Sequence, residues 1–355
     1  MSIETSRSYI VEHKCNEKVL GRVGIIDFLR FIFIVLIVCH HSAFFGNHKF
    51  LSGYIGVEFF YIVSGWLFAR ACYTRKNPDV FAFLFHKIKG FYPEFLVATT
   101  TGFIIMSFWD KDVHSHWLMN FVYWISDIFL LQIWGFPTLS ATAVSWFLSA
   151  MIGSLCILAP LALYKPRLLS FYAFPIIISI YGFLCVNYGS LSPILQPVAG
   201  GLIHAGLLRA MADILVGYLS YSMSMKLADT EFSNGRKNVM GILEMGGYLI
   251  SLYLVFRMNG PTRIDFLIVL LLAMSITISF AQVTFTKRIH GNVCDRLGRY
   301  SLNIYLSHGC LAIIFGKMAF PEHYGMAMTM ALYFVFVIVL SIFNNRVTNL
   351  IRKRL

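Results

Sequence analysis

The sequence predicts an all-α polytopic membrane protein of about ten transmembrane helices, with N- and C-termini cytoplasmic. Three observations predict it. Of the 355 residues, 58% are hydrophobic and 13% charged, whereas about 25% charged is usual in a soluble domain. The mean hydropathy is +0.70, and apolar runs recur near the roughly 20 residues that cross a bilayer. Lys and Arg gather in alternate loops, as cytoplasmic loops require.

Residues 1–24 mix Arg7, Lys14, Lys18 and Arg22 with Glu4, Glu12 and Glu17 and lack the apolar core of a cleavable secretory signal. They read as a basic cytoplasmic tail, and the first span is itself the targeting element. Apolar periodicity places spans near 25–45, 53–71, 91–109, 144–163, 171–189, 207–225, 240–256, 264–282, 301–318 and 325–345. The membrane domain thus covers 25–345, followed by a second basic cytoplasmic tail over 346–355. An eleventh apolar segment, 117–134, carries Asn120, Asp127 and Gln132. Charge decides its status. With ten spans, only Lys49, Lys111, Arg257 and Arg263 fall in outer loops, while clusters such as Arg70, Arg75, Lys76, Lys87 and Lys89 or Lys287, Arg288, Arg296 and Arg299 fall inside. Counting 117–134 as a span would invert every later loop. It is expected to be an interfacial or re-entrant helix on the outer side, with Trp117, Tyr123, Trp124 and Trp134 suited to a headgroup layer.

The formal charge of +12 does not point to nucleic acid, because the cations lie between spans rather than on one face. The seven cysteines form no CxxC or CxxH pair and fall mostly in apolar segments, where they read as small hydrophobes. No disulfide framework and no metal site is expected.

Ionisable groups inside membrane-length segments are expensive and mark function by default. The first span holds Asp27, Arg30, His40 and His41. Eleven residues turn a helix by about 20° net, so Arg30 and His41 share a face roughly 16 Å apart along the axis. A fixed cation near the inner end and a base near the outer end result. Glu58, in the outer half of the antiparallel second span, lies at the depth of His41. A carboxylate beside the imidazole would make His41 a general base, and a structural hydrogen-bonded pair is the bland alternative. His40 points about 100° away from His41 and is the weaker candidate. Arg30, Asp27, Lys87 and Lys89 together suit a phosphate-bearing donor, although Arg30 alone reads equally as a snorkelling anchor and the lysines as solvated positive-inside loop. Ser64 beside Gly65 suits close helix approach near a channel. Trp146 reads as a belt aromatic or as a sugar-stacking platform. Ser301, Tyr305 and His308 line one face of the ninth span, and such a polar stripe faces a cavity or partner helix.

In this order the segments resemble the acyltransferase 3 family of bacterial membrane O-acyltransferases, over roughly residues 22–345. The family's acidic residue, arginine and histidine of the first span fall on Asp27, Arg30 and His41. Its Gly-Val-acidic-x-Phe and Ser-Gly-aromatic signature falls on Gly56 to Trp66, its Trp-x-Leu on Trp146 to Leu148, and its late Gly-Ser-Tyr-Leu-His pattern on Gly298, Ser301, Tyr305, Leu306 and His308. Two positions depart. Lys87 and Gly90 stand where the family often has arginines before Pro93, and Met151 stands where many members have a glutamate after the Trp. The resemblance implies transfer of an acyl group, usually acetyl, from acetyl-CoA or another cytoplasmic acyl-CoA to a hydroxyl of a cell-envelope or exported glycan or glycolipid. The acyl-CoA is then a co-substrate, no cofactor stays bound, the partners are the acceptor and the lipid bilayer, and the location is the bacterial inner membrane. A transporter or flippase of a glycan or small metabolite is the competing reading.

Overall fold

Chain geometry follows from where the apolar runs are broken. Residues 22–75, 78–139, 142 and 144–353 are described by a computed structural model; of the two basic tails, 1–21 and 354–355 lie outside the described residues. Helix α1 (Gly24–His41) runs into a 3-10 turn, Ser42–Phe45, that stops at Gly46 with φ +88°, a left-handed conformation that favours glycine. A second 3-10 stretch, His48–Ile55, leads into α2 (Gly56–Thr74). Next come α3 (Val80–Trp109), the short α4 (Lys111–Ser115), α5 (Trp117–Ile128), α6 (Trp146–Tyr164), α7 (Pro166–Tyr188) and α8 (Ala205–Asp229). A two-residue antiparallel ladder, Pro197–Val198 with Ile203–His204, precedes α8. The chain closes with α9 (Asn234–Arg257), α10 (Ile264–Ala281), α11 (Asn292–Lys317) and α12 (Phe320–Arg352).

Among the described residues, eight helical segments are apolar and long enough to cross a membrane by length and composition. Helices α8 and α11 occupy two further expected span positions but are not among the eight. They carry Arg209, Asp213, Lys226 and Asp229, and Asp295, Arg296, Arg299 and Lys317. Their polarity has a spatial reason, for Arg209, Asp213, Ser301, Asn303 and His308 are all buried. The two most polar long helices can therefore line the inside of the bundle rather than face lipid.

Burial sorts the other helices in the same way. In α2 and α6, 67% of the apolar window is buried, against 28% in α7, 33% in α9 and 22% in α12, so α2 and α6 are central and the last three form the rim. The rim exposes Phe171, Phe174, Val186, Leu249, Val335 and Val339, as a lipid-facing surface does. Lipid supplies no hydrophobic drive between helices, so close packing at small residues holds the centre. A Cβ on Gly65 would overlap the Ile214 carbonyl of α8, and one on Gly217 the Ile62 carbonyl of α2. Likewise Gly298 of α11 sits against Asp27 of α1, and Gly316 against the Phe44 carbonyl.

One expectation changes. The third span begins at Val80 instead of 91, because Asp79 caps the helix by accepting the Ala82 N–H at 2.9 Å and Phe83 is buried. At 30 residues, α3 is about 45 Å long, more than a hydrocarbon layer of about 30 Å needs, and Lys87 and Lys89 are helical rather than looped. The doubtful segment 117–134 breaks instead of spanning: α5 has 12 residues, about 18 Å. One face of α5 exposes Trp117, Leu118, Phe121, Val122 and Ile125, and Asp127 is buried. Gln132 donates to Ser145 Oγ at 3.1 Å and to Asp127 Oδ1 at 3.1 Å. Two of the three polar residues that made a span doubtful thus serve to fold the segment back onto the bundle.

Candidate active site

Helix direction assembles the site. Phe33 stacks on Phe59 at 4.5 Å while Gly53 meets Leu36 and His40, so α1 and α2 run antiparallel. Gly298 meets Asp27 and Gly316 meets Phe44, so α11 runs parallel to α1. Phe147 stacks on Tyr61 at 4.5 Å, bringing the start of α6 to the first half of α2. These helices, with α3, surround a cavity of about 350 Å³.

Its two ends differ chemically. One end holds Arg30, His86, Lys87, Gly90, Ser64, Met151 and Ser301, and the other Ile34, Val57, Phe60, Phe147 and Tyr305. Arg30 Nη1 reaches Asp27 Oδ1 at 3.5 Å. Asp27 is also bonded by Arg22, whose pKa that hydrogen bond raises, and it packs under Gly298. Asp27 is therefore turned toward the arginines and is not among the residues that line the cavity. Lys87 lines the cavity and Lys89 is exposed outside it. The direction of the helix separates them: two residues apart, side chains diverge by about 200°. His86 is a cationic-end residue that sequence reasoning missed; its only signal was adjacency to Lys87.

Beyond the apolar end lie the imidazoles. Tyr305 donates its hydroxyl to the Val144 carbonyl at 2.9 Å, and its ring is 5.7 Å from that of His308. His308 Nε2 is 3.2 Å from His41 Nδ1, and His41 Nδ1 is 2.9 Å from the Ile37 carbonyl. A carbonyl only accepts, so Nδ1 of His41 carries the proton. Nε2 of His41 is thereby left with its lone pair. His308 Nε2 faces the same N–H as a second acceptor and is the group that would stabilise an imidazolium at position 41. His41 is half-buried and His308 fully buried. His40 points elsewhere: its Nδ1 is 3.3 Å from the Phe50 carbonyl and its ring meets that of Tyr54.

The expected pairing of His41 with Glu58 is not what forms. Glu58 is 0% exposed and accepts from Arg209 Nε at 2.6 Å, with a second, closer ion pair to Nη2 of the same guanidinium. A buried carboxylate takes the partner that neutralises it, and a neutral imidazole cannot compete with a guanidinium. Arg209 also donates to the Tyr54 carbonyl at 3.3 Å. Nearby, Asp213 accepts from Tyr181 at 2.5 Å, and Asp265 accepts from Tyr54 at 2.6 Å and from the Leu191 N–H at 2.8 Å. Trp146 is neither an interface aromatic nor an open platform. It is buried, with its ring 5.6 Å from the Arg209 guanidinium, a cation–π contact strengthened by exclusion of water. Arg209 is the other functional-looking residue that sequence reasoning passed over.

Of the polar stripe, Ser301 and Tyr305 line the cavity and His308 does not; Ser64 lines it from α2. Ser301 Oγ donates to the Gly298 carbonyl at 2.8 Å. The whole arrangement offers cations at one end, an apolar passage, and a basic nitrogen past the other end.

A family described as an acyltransferase domain matches residues 23–343. No curated protein and no solved structure matches the chain.

Proposed function

From the premise that this chain belongs to the acyltransferase 3 family and is a membrane acyltransferase, we propose that it moves an acetyl group from acetyl-CoA to a hydroxyl of an envelope or exported glycan. The donor approaches from the cytoplasm and the protein sits in the bacterial inner membrane, with ten spans and both termini inside. One observation carries the reading: the cavity lined by Arg30, His86 and Lys87 is also lined by Tyr305, whose ring is 5.7 Å from that of His308, the partner of His41.

The chemistry follows from those groups. Arg30 and Lys87 hold donor phosphates by charge-assisted hydrogen bonds, with His86 beside them, and the apolar passage takes the thioester arm. His41 Nε2 accepts the proton of the acceptor hydroxyl as its oxygen attacks the thioester carbon. His308, facing Nδ1, stabilises the resulting imidazolium. The C–O bond forms, the C–S bond breaks, and His41 returns the proton to the leaving thiolate. The ester and free CoA thiol leave with no net gain or loss of protons.

The test compares cells lacking the gene with cells carrying the wild type or His41→Ala, each checked for protein in the membrane. O-acetyl signals in the NMR spectra of envelope and exported polysaccharides are expected only with the wild type. Unchanged O-acetylation in His41→Ala cells would remove the catalytic assignment.

A further inference from the structure

We infer that Phe147 sets the length of acyl group this enzyme accepts, restricting it to a short chain. The inference rests on the donor reading of the cavity given above. Phe147 stands at the end remote from Arg30 and Lys87, where the wall is aromatic. Its ring stacks on Tyr61 at 4.5 Å, meets Tyr305 edge-on at 5.5 Å and faces Phe60 at 6.3 Å.

The supports of this wall do not yield. Tyr61 is fully buried and donates to the Phe147 carbonyl at 3.3 Å, while Tyr305 is held by the Val144 carbonyl at 2.9 Å. One hydrogen bond ends on Phe147 and the other on Val144, two residues before α6, so the start of α6 is held from α2 and from α11. On its other side, Tyr305 stands 5.7 Å from His308. Tyr305 thus links this wall to the imidazole pair, about one helical turn further along α11.

A donor anchored by its phosphates at the cationic end brings its thioester to this wall with the arm filling the passage behind. An acetyl methyl fits against the rings. Further methylenes have to displace Phe147 or fold back into space the arm occupies. Apolar pockets discriminate by roughly 10–200-fold per methylene at most, and closely packed interiors resist overfilling. Phe147, like Phe60, makes ring contacts with its side chain and no hydrogen bond, so removing it enlarges the cavity without orphaning a polar group.

The experiment measures binding of CoA, acetyl-CoA, butyryl-CoA and hexanoyl-CoA to the detergent-purified full chain by ligand-induced thermal stabilisation, for wild type, Phe147→Leu, Phe147→Ala and Phe147→Trp. The wild type is expected to prefer acetyl-CoA over hexanoyl-CoA by at least about tenfold. Phe147→Ala is expected to erase that preference and Phe147→Leu to extend acceptance to butyryl-CoA, the milder change keeping the test alive should the alanine variant not fold. Phe147→Trp is expected to weaken acetyl-CoA while leaving CoA itself unchanged. A chain-length preference that is absent in the wild type, or the same in all variants that bind CoA, overturns the role of Phe147 and leaves the donor site standing. Failure of every CoA compound to bind the wild type overturns the donor site and this inference with it.

Discussion

Glu58→Gln separates two accounts of that residue. Glu58 and Arg209 are each 0% exposed and joined by two contacts, and Arg209 is further enclosed by Tyr54 and Trp146. Removing one partner of such a pair leaves the other buried and unpaired, which costs about 3–5 kcal/mol. Asp213, one turn from Arg209 on the same helix, takes up part of the charge and places the expected loss near 3 kcal/mol. Against a typical stability of about 5–15 kcal/mol, that is a large fraction. Thermal unfolding of the purified protein in detergent, followed by tryptophan fluorescence, should show a clear loss of melting temperature and lower yield from membranes. The double variant Glu58→Leu with Arg209→Met, which removes both charges, should regain much of the loss. The reasoning fails if Glu58→Gln melts like the wild type yet is inactive, for that is the signature of a carboxylate serving His41 rather than Arg209.

Other consequences concern the imidazoles and the cationic end of the cavity. His308→Gln should reach the membrane at wild-type levels while acyl transfer falls by about 100-fold, at the low end of general acid–base contributions; turnover with acetyl-CoA in membranes measures it, and full activity would show that His308 only packs. Lys87→Ala and His86→Ala should each raise the KM for acetyl-CoA by several-fold with little change in kcat, because each removes a charge or donor for the phosphates. Lys89→Ala, outside the cavity, should leave both constants unchanged; an effect of Lys89 equal to that of Lys87 would show that bulk charge, not this cavity, gathers the donor.

Much of this architecture was legible because it is local. Helical period alone places Arg30 and His41 on one face of α1, and Ser301, Tyr305 and His308 on one face of α11. Hydropathy and cation distribution located the apolar helices and marked 117–134 as a segment that does not span, where α5 is 12 residues long. Side chains on a regular helix have positions that follow from spacing, so these readings needed no partner.

Pairing was a different matter. Glu58 meets Arg209 across 151 positions of sequence, His41 meets His308 across 267, and Trp146 turns inward onto Arg209 instead of outward to the headgroups. Nothing within one helix says which neighbour will neutralise a buried charge. That choice is made when α2 crosses α8 at Gly65 and Gly217 and when α11 closes on α1 at Gly298 and Gly316. The amino-acid order by itself determined which residues had to be buried and on which helical face. Only the tertiary packing decided their partners, because a guanidinium stripped of water binds the carboxylate within reach, and reach is set by how closely the helices approach.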